Sequence, residues 1–239
     1  MGKLRELLNS AGWREFVLLL SVGAICGSIW IFVSVTDLVR DGELHETEIG
    51  WMRDLRSADD DARPIGPSWL ERWSREITAL GSGVVLALLT LFIAGYLLIE
   101  RWYASTLLLL AAVGGGTLLT TFLKGYFDRD RPSIVPHLTD SLFKSYPSGH
   151  SMMSSVVYLT AAVLLSRAME RRRVKIYCVS AALFLSFIVG LSRVYLGVHY
   201  PTDVVAGWAG GIAWALLCWL VAYWLERRGK VEPERSREN

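Results

Sequence analysis

The sequence predicts an all-α protein that crosses a membrane six times. Hydrophobic residues make up 52% of the 239 residues, and the mean hydropathy is +0.35. Six uncharged apolar runs are spread along the chain, and about 20 such residues are needed to cross a hydrocarbon core of about 30 Å. One short run would also suit the core of a soluble helical protein. Six runs in one chain favour a polytopic membrane domain.

In chain order, the runs are Phe16–Thr36, Ile77–Ile99, Trp102–Leu123, Ser151–Ser166, Ile176–Ser192 and Val204–Leu225. The fourth and fifth are the shortest, and flanking residues such as Gly149 and Lys175 can extend them into the interface. The first run is too long for a cleaved signal sequence, so we expect it to remain as an anchor. Residues 1–226 form one predicted membrane domain, and residues 227–239 form a polar cytoplasmic tail.

The segment between the first two runs, Arg40–Glu76, is too long for a simple turn. The spacing of its apolar residues predicts short amphipathic helices that lie on the membrane surface. These residues are Leu44, Trp51, Leu55, Trp69 and Trp73.

The charges of the connecting segments predict the orientation in the membrane. Ser166–Lys175 carries five basic residues and one acidic residue, and both ends of the chain are also rich in Lys and Arg. Basic loops favour the cytoplasmic side. We therefore expect an inner or plasma membrane protein with both termini in the cytoplasm. Arg40–Glu76, Lys124–Gly149 and the turn before the sixth run then lie outside.

Three polar clusters fall on this outer side. They are Lys124 with Arg131-Pro132, the segment YPSGH from Tyr146 to His150, and Ser192-Arg193 followed by His199 and Asp203. Each cluster alone has an ordinary explanation. Long cations at the end of a span reach towards the headgroups, a serine such as Ser148 commonly caps a helix, and a single histidine near an interface is usually just hydrogen-bonded. Three clusters on one face favour a shared site.

Together the clusters suit the transfer of a phosphoryl group. Lys124, Arg131 and Arg193 supply three positive charges, enough for a phosphate dianion and the charge of its transition state. A helix that begins at Ser148 and Gly149 would add free N–H groups and the positive end of its dipole. The backbone at Gly149, which has no Cβ, can approach an anion closely.

The two histidines have different predicted tasks. His199 can attack phosphorus, and Asp203, four residues further on, can fix its tautomer and stabilise the imidazolium. His150 is then left to protonate the oxygen that leaves.

These residues resemble the full signature of the type 2 phosphatidic acid phosphatase (PAP2) superfamily. The signature consists of Lys-x6-Arg-Pro, Pro-Ser-Gly-His and Ser-Arg-x5-His-x3-Asp, and no position departs from it here. The similarity covers roughly Ile77–Trp224 and includes ITALGS (Ile77–Ser82). The resemblance implies a six-span helical fold and a metal-independent phosphatase, without a cofactor, that acts through a phosphohistidine.

The resemblance also implies a role for each residue of the signature. His199 is the nucleophile, Asp203 orients it, and His150 is the general acid. The phosphate-binding residues are Lys124, Arg131, Ser148, Gly149, Ser192 and Arg193. Outside the signature, Arg129 and Asp130 are expected to shape their loop, and His45 and His137 to be exposed to solvent.

The expected substrate is a phospholipid or prenyl phosphate that is reached from the outer leaflet. Undecaprenyl diphosphate is the first choice, and phosphatidylglycerol phosphate and phosphatidic acid are alternatives. We expect no nucleic acid and no obligatory protein partner. Vanadium haloperoxidases resemble the same signature, but a six-span membrane chain argues against them. A transporter of phosphorylated solutes would place charges at mid-membrane depth, whereas the charges of these clusters collect at one face. A scaffold protein would need no His–Asp pair.

Overall fold

The computed structural model describes residues 2–58, 60–133, 144–167, 169 and 171–227. Its helices are α1 (Gly2–Asp41), α2 (His45–Asp54), α3 (Ser68–Ala79), α4 (Gly83–Ile99), α5 (Tyr103–Phe127), α6 (Gly149–Arg167), α7 (Arg172–Tyr195) and α8 (Pro201–Arg227). Two short strands lie between α2 and α3, namely β1 (Arg56–Ser57) and β2 (Asp60–Pro64). The strands pair antiparallel, with Arg56 opposite Pro64 and Ser57 opposite Asp60.

Five of these helices, α1 and α5–α8, are long and apolar enough to cross a membrane. The sixth span forms only when α3 and α4 are taken together, and the two are bent by 47° relative to each other. The predicted all-α fold is confirmed. The apolar run Ile77–Ile99 is divided between two helices, because α3 ends at Ala79 and α4 begins at Gly83.

Two residues account for this break between α3 and α4. The hydroxyl of Ser82 accepts a hydrogen bond from the N–H of Val85 at 3.3 Å, which caps the start of α4. A Cβ on Gly81 would lie 2.4 Å from Cγ1 of Val189 and 3.3 Å from Cδ2 of His150. Glycine therefore lets the break approach both α7 and the start of α6.

Short helices were predicted for the segment Arg40–Glu76, and α2 and most of α3 lie within it. Trp51 on α2 and Trp69 and Trp73 on α3 are exposed, whereas Ser74 and Thr78 on α3 are buried. Since α3 packs against α7, its tryptophans lie on the face away from the bundle. The β1–β2 hairpin between the helices was not predicted.

Helix α6 lies at the centre of the bundle and packs against α5, α7 and α8. The contact with α8 is close: a Cβ on Gly207 would lie 2.7 Å from the carbonyl oxygen of Ser148, and one on Gly211 would lie 2.5 Å from that of Met152. Small residues allow helix backbones to approach in this way inside membranes. As a result, the first turns of α6 and α8 lie side by side.

Two sequence predictions fall on other parts of the chain. His137 and residues 228–239 lie outside the described residues. The division into a domain over residues 1–226 and a tail over 227–239 stays a prediction.

Candidate active site

The three sequence clusters meet at one end of the bundle. Lys124 is in the last turn of α5, and Arg131 is in the segment that follows it. Ser148, Gly149 and His150 lie at the start of α6, and Ser192 and Arg193 lie in the last turns of α7. His199 precedes α8, and Asp203 is in its first turn.

The centre of the site is the His199–Asp203 pair, which is almost completely buried, with relative exposures of 1% and 0%. Nδ1 of His199 lies 3.3 Å from Oδ2 of Asp203. The same oxygen accepts hydrogen bonds from the N–H of Tyr200 at 2.9 Å and from the hydroxyl of Ser145. Because Nδ1 faces a carboxylate, its N–H donates to Asp203, and Nε2 keeps the lone pair that a nucleophile needs.

The second ring nitrogen of His199, Nε2, lies next to a cation. Nη1 of Arg131 lies 3.2 Å from Nε2 of His199 and donates to the carbonyl oxygen of Val198 at 2.6 Å. Burial lowers the pKa of His199, although the carboxylate of Asp203 acts in the opposite direction. The imidazole is therefore neutral at pH 7, the form in which Nε2 can attack phosphorus.

The remaining two cations are held by residues from different elements. Nζ of Lys124 donates to the carbonyl oxygen of Lys144 at 2.5 Å. Nη1 of Arg193, which is 2% exposed, donates to the hydroxyl of Thr78 on α3 at 2.9 Å. The buried Nε of Arg193 has no hydrogen-bond acceptor in the described part of the chain. Such a donor suits an anion.

Electrostatic interactions connect this group of charges to the second histidine. His150 interacts with Lys124, Arg131, Arg193 and His199. The structure therefore brings together the three predicted cations and both predicted catalytic histidines.

The start of α6 has the predicted position, and its serine makes a long capping hydrogen bond besides other contacts. Ser148 is buried, and its N–H donates to the carbonyl oxygen of Asp203 at 2.9 Å. Its hydroxyl accepts from the hydroxyl of Ser151 at 3.0 Å, and the capping distance to the N–H of Ser151 is a long 3.5 Å. Within the described residues, the N–H groups of Gly149 and His150 make no hydrogen bond.

Gly149 and Ser192 complete the set of predicted phosphate-binding residues. A Cβ on Gly149 would lie 3.4 Å from Cε of Lys124, so the helix start and the lysine are adjacent. The hydroxyl of Ser192 donates to the carbonyl oxygen of Val189 at 2.6 Å. It is engaged inside α7, and its role with phosphate stays a prediction.

Comparison with known proteins decides the family. The sequence profile of the PAP2 superfamily matches residues 105–227, which include all the predicted site residues. The chain belongs to the PAP2 superfamily. The resemblance that the motifs carried is thereby confirmed.

Individual proteins similar to this PAP2 chain are lipid phosphatases. Phosphatidylglycerophosphatase B of Bacillus subtilis is 35% identical over 151 residues, which are 62% of this chain and 73% of that protein. Lipid A 1-phosphatase of Rhizobium johnstonii is 34% identical over 113 residues, 44% of this chain and 42% of that protein.

A solved structure extends the similarity to most of the fold. The crystal structure of a transmembrane PAP2 type phosphatidylglycerolphosphate phosphatase from Bacillus subtilis has a TM-score of 0.69 and 27% sequence identity. The match covers 90% of this chain and 98% of that one. At the level that these relatives share, the chain is a PAP2-type membrane lipid phosphatase, as predicted.

Arg129 has a larger part in this PAP2 site than its sequence context predicted. Its Nη1 donates to Oδ1 of Asp203 at 2.8 Å, and its Nη2 donates to Oε2 of Glu48 at 2.7 Å. Burial alone would lower the pKa of Arg129, but Asp203 and Glu48 outweigh it and raise the pKa. The Arg-x-Arg pattern of residues 129–131 was a signal for this role.

Glu48 and Ser145 have no comparable signal in the sequence, whereas Thr78 lies in ITALGS (Ile77–Ser82), a segment that resembles the family. Glu48 lies in the acidic segment Arg40–Glu76 beside Glu43 and Glu46, and only its burial distinguishes it from them. Asp130 pairs with Lys144 at 2.7 Å on the surface, in keeping with the predicted loop role, and His45 is exposed as expected.

A cavity of about 370 Å³ lies beside these groups. Its polar lining includes Arg129, Arg131 and Tyr200, and its apolar lining includes Leu38 and Leu44. No cluster of three or more His, Cys, Asp or Glu able to hold a metal ion occurs among the described residues.

Proposed function

We propose that this PAP2 protein removes phosphate from a phospholipid headgroup through a phosphohistidine at His199, without a metal ion. One observation carries the proposal: Nδ1 of His199 faces Asp203 at 3.3 Å, while Nε2 faces the cation Arg131 at 3.2 Å. The nucleophilic atom and the positive charges that attract a phosphate therefore lie on the same side of the ring.

The first step forms a bond between Nε2 of His199 and phosphorus and breaks the bond from phosphorus to the lipid oxygen. His150 donates a proton to that oxygen, so the lipid leaves as an alcohol. Asp203 stabilises the positive charge that develops on His199. Lys124, Arg131 and Arg193 neutralise the charge of the transferring group.

The second step releases the phosphate. A water molecule gives its proton to His150 and attacks phosphorus, and the bond from phosphorus to Nε2 breaks. Inorganic phosphate leaves, and His199 returns to its neutral form. Because the cations supply the stabilising charge throughout, no metal ion is needed in either step.

A phosphate monoester of the phosphatidylglycerol phosphate type is the substrate that we favour. Two similar proteins support this choice, namely the Bacillus subtilis relative and the protein of the Bacillus subtilis crystal structure. Each match covers most of the similar protein, and each protein is named for that activity. Neither these two proteins nor the Rhizobium relative is named for undecaprenyl diphosphate. That first choice from the sequence stays a prediction.

The test is phosphate release by the purified protein in detergent from a panel of phosphatidylglycerol phosphate, phosphatidic acid and undecaprenyl diphosphate. We expect the first lipid to have the highest kcat/KM, and we expect EDTA to leave the rate unchanged. Loss of activity in EDTA with recovery in magnesium would contradict the metal-free mechanism. No release from any of the three lipids would contradict the activity itself.

We also propose that the site faces outwards, because the loop at the other end of α6 and α7 is basic and basic loops favour the cytoplasm. Single cysteines at Asp130 and Arg171, in a chain without its native three, test this orientation. On intact cells (with any outer membrane permeabilised), an impermeant maleimide should label Asp130→Cys and spare Arg171→Cys. Labelling of only Arg171→Cys would reverse the orientation.

A further inference from the structure

Glu48 on α2 is a buried acidic residue far in sequence from the PAP2 motifs. It is 1% exposed, and both of its carboxylate oxygens are used. Oε1 accepts hydrogen bonds from the N–H of Thr202 at 2.9 Å and from its hydroxyl at 2.6 Å. Oε2 accepts from Nη2 of Arg129 at 2.7 Å. Such complete use of a buried carboxylate indicates a built arrangement rather than a chance surface contact.

Arg129 connects Glu48 to the catalytic pair. Its Nη1 donates to Oδ1 of Asp203 and to the hydroxyl of Thr202, each at 2.8 Å. Its guanidinium carbon lies 4.1 Å from the centre of the Tyr200 ring, and only 15% of its side chain is exposed. The planar fork of an arginine suits such a bridge between two carboxylates, and an ammonium group does not.

We infer that Glu48 and Arg129 are positioning residues that hold Asp203 in the orientation and charge state that His199 requires. This inference rests on the proposed function, in which His199 is the nucleophile. Neither residue touches the reacting atoms in this scheme. They act through Asp203, whose other oxygen faces Nδ1 of His199 at 3.3 Å.

The order of charges along this chain of contacts explains why two residues are needed. Arg129 alone would neutralise Asp203 and weaken its attraction for the positive charge that develops on His199. Glu48 balances Arg129, so the three groups together keep one net negative charge beside the imidazole. In a buried site such charges are weakly screened and have a large effect.

Glu48 also fixes the backbone that carries Asp203. The N–H of Thr202 is one of the first-turn donors of α8 that lack a partner within the helix. A carboxylate at this position satisfies it and interacts favourably with the positive end of the helix dipole. Because Asp203 is the next residue along α8, the outer helix α2 sets the position of the catalytic carboxylate.

The test compares Glu48→Gln, Arg129→Gln and the double variant with wild type and with a matched control, Glu46→Gln. Glu46 lies on the same helix but is exposed. We expect Glu48→Gln to lower kcat by about 10–100-fold, the range for residues that orient a ligand or a catalytic group indirectly. KM should stay close to wild type, because the phosphate-binding cations are untouched.

Vanadate inhibition gives a readout that a merely structural role would not change. Vanadate bonded to Nε2 of His199 resembles the transition state, so its inhibition constant should rise by a factor similar to the loss in kcat. Inhibition by inorganic phosphate should hardly change. The double variant should lose less than the product of the two single losses, because its neutral pair restores the net charge beside His199.

Elution profile and thermal midpoint in detergent establish that each variant is folded. If Glu48→Gln does not fold, Glu48→Asp keeps the charge but shortens the reach, and it should lower kcat in the same direction by a smaller factor. Wild-type kcat and vanadate inhibition in a folded variant would overturn the inference. So would an equal loss in Glu46→Gln, or a loss of kcat that only follows a lowered thermal midpoint.

His199→Ala separates this inference from the proposed function. Substantial activity in folded His199→Ala overturns the phosphohistidine mechanism and the inference with it. An inactive His199→Ala together with a fully active Glu48→Gln overturns only the positioning role.

Discussion

The two halves of the chain, α1–α4 and α5–α8, contribute to the site in different ways. All nine predicted site residues lie between positions 124 and 203, on α5–α8 and the segments that join these helices. The first half contributes residues that hold others: Glu48 binds Arg129, Thr78 binds Arg193, and the hydroxyl of Thr36 lies 2.7 Å from that of Tyr146.

The difference teaches how chemistry and support are divided in this fold. Residues that meet a phosphate must be cationic or nucleophilic, and such residues are conspicuous in an apolar chain. Supporting residues need only reach a partner and satisfy its hydrogen bonds. Their side chains are ordinary, and their importance comes from the contact rather than from their type.

The largest effect should come from the second half. His199→Ala removes the proposed nucleophile and should lower kcat by about 10⁴-fold or more, the scale for loss of a catalytic nucleophile. The measurement is phosphate release from a lipid substrate, with the elution profile as the control for folding. Substantial residual activity in a normally folded variant would remove the basis for assigning the chemistry to this half.

His150→Ala should have a smaller effect that depends on the substrate. A phosphate monoester must expel an alkoxide and needs a proton, so the variant should lose about 10²–10⁴-fold in kcat/KM. A diphosphate lipid expels a lipid phosphate, a much weaker base, with a pKa of about 6 by analogy with a phosphorylated side chain. The loss in kcat/KM on the diphosphate lipid should therefore be distinctly smaller.

The measurement is kcat/KM on phosphatidic acid and on undecaprenyl diphosphate, with His199→Ala as the reference. His199→Ala should show no such difference, since both substrates need the nucleophile. Equal losses for the two lipids in His150→Ala would assign His150 to phosphate binding or to structure.

Thr78→Val tests the first half and should have the smallest effect. It removes the hydroxyl that accepts from Arg193 at 2.9 Å and keeps the shape of the side chain. Hydrogen bonds to charged groups contribute about 1.5–3 kcal/mol, so we expect kcat/KM to fall by at least about tenfold.

The matched control for Thr78→Val is Thr90→Val on α4. Thr90 is also buried, but its hydroxyl donates to Leu86 within its own helix. Equal activities in the two variants would show that the first half does not support the cations through Thr78.

Hydropathy and motif spacing were sufficient to predict the helical fold and the residues that meet at the site. Each span can be recognised by the length of its apolar sequence, and each signature residue can be recognised by its residue type. The break at Gly81 was not predicted, because the apolar run continues through it and the close neighbours of Gly81, Val189 and His150, belong to other helices. Single-sequence patterns contain no record of such contacts.

The same limit applies to the supporting residues. Glu48 resembles its acidic neighbours in sequence, and its partner Thr202 lies 154 positions away. Ser148 fits the pattern of a capping serine, but the pattern does not show that its hydroxyl also accepts from the hydroxyl of Ser151. The roles of Glu48 and Ser148 depend on hydrogen-bond geometry rather than on residue type.

The contact between Glu48 and Thr202 has a consequence for the order in which the enzyme is made. Glu48 leaves the ribosome 154 residues before Thr202. The carboxylate of Glu48 therefore has to remain without Thr202 while several later spans are inserted. Closing so long a loop is slow relative to local helix formation. The contact therefore cannot form until synthesis has passed Thr202.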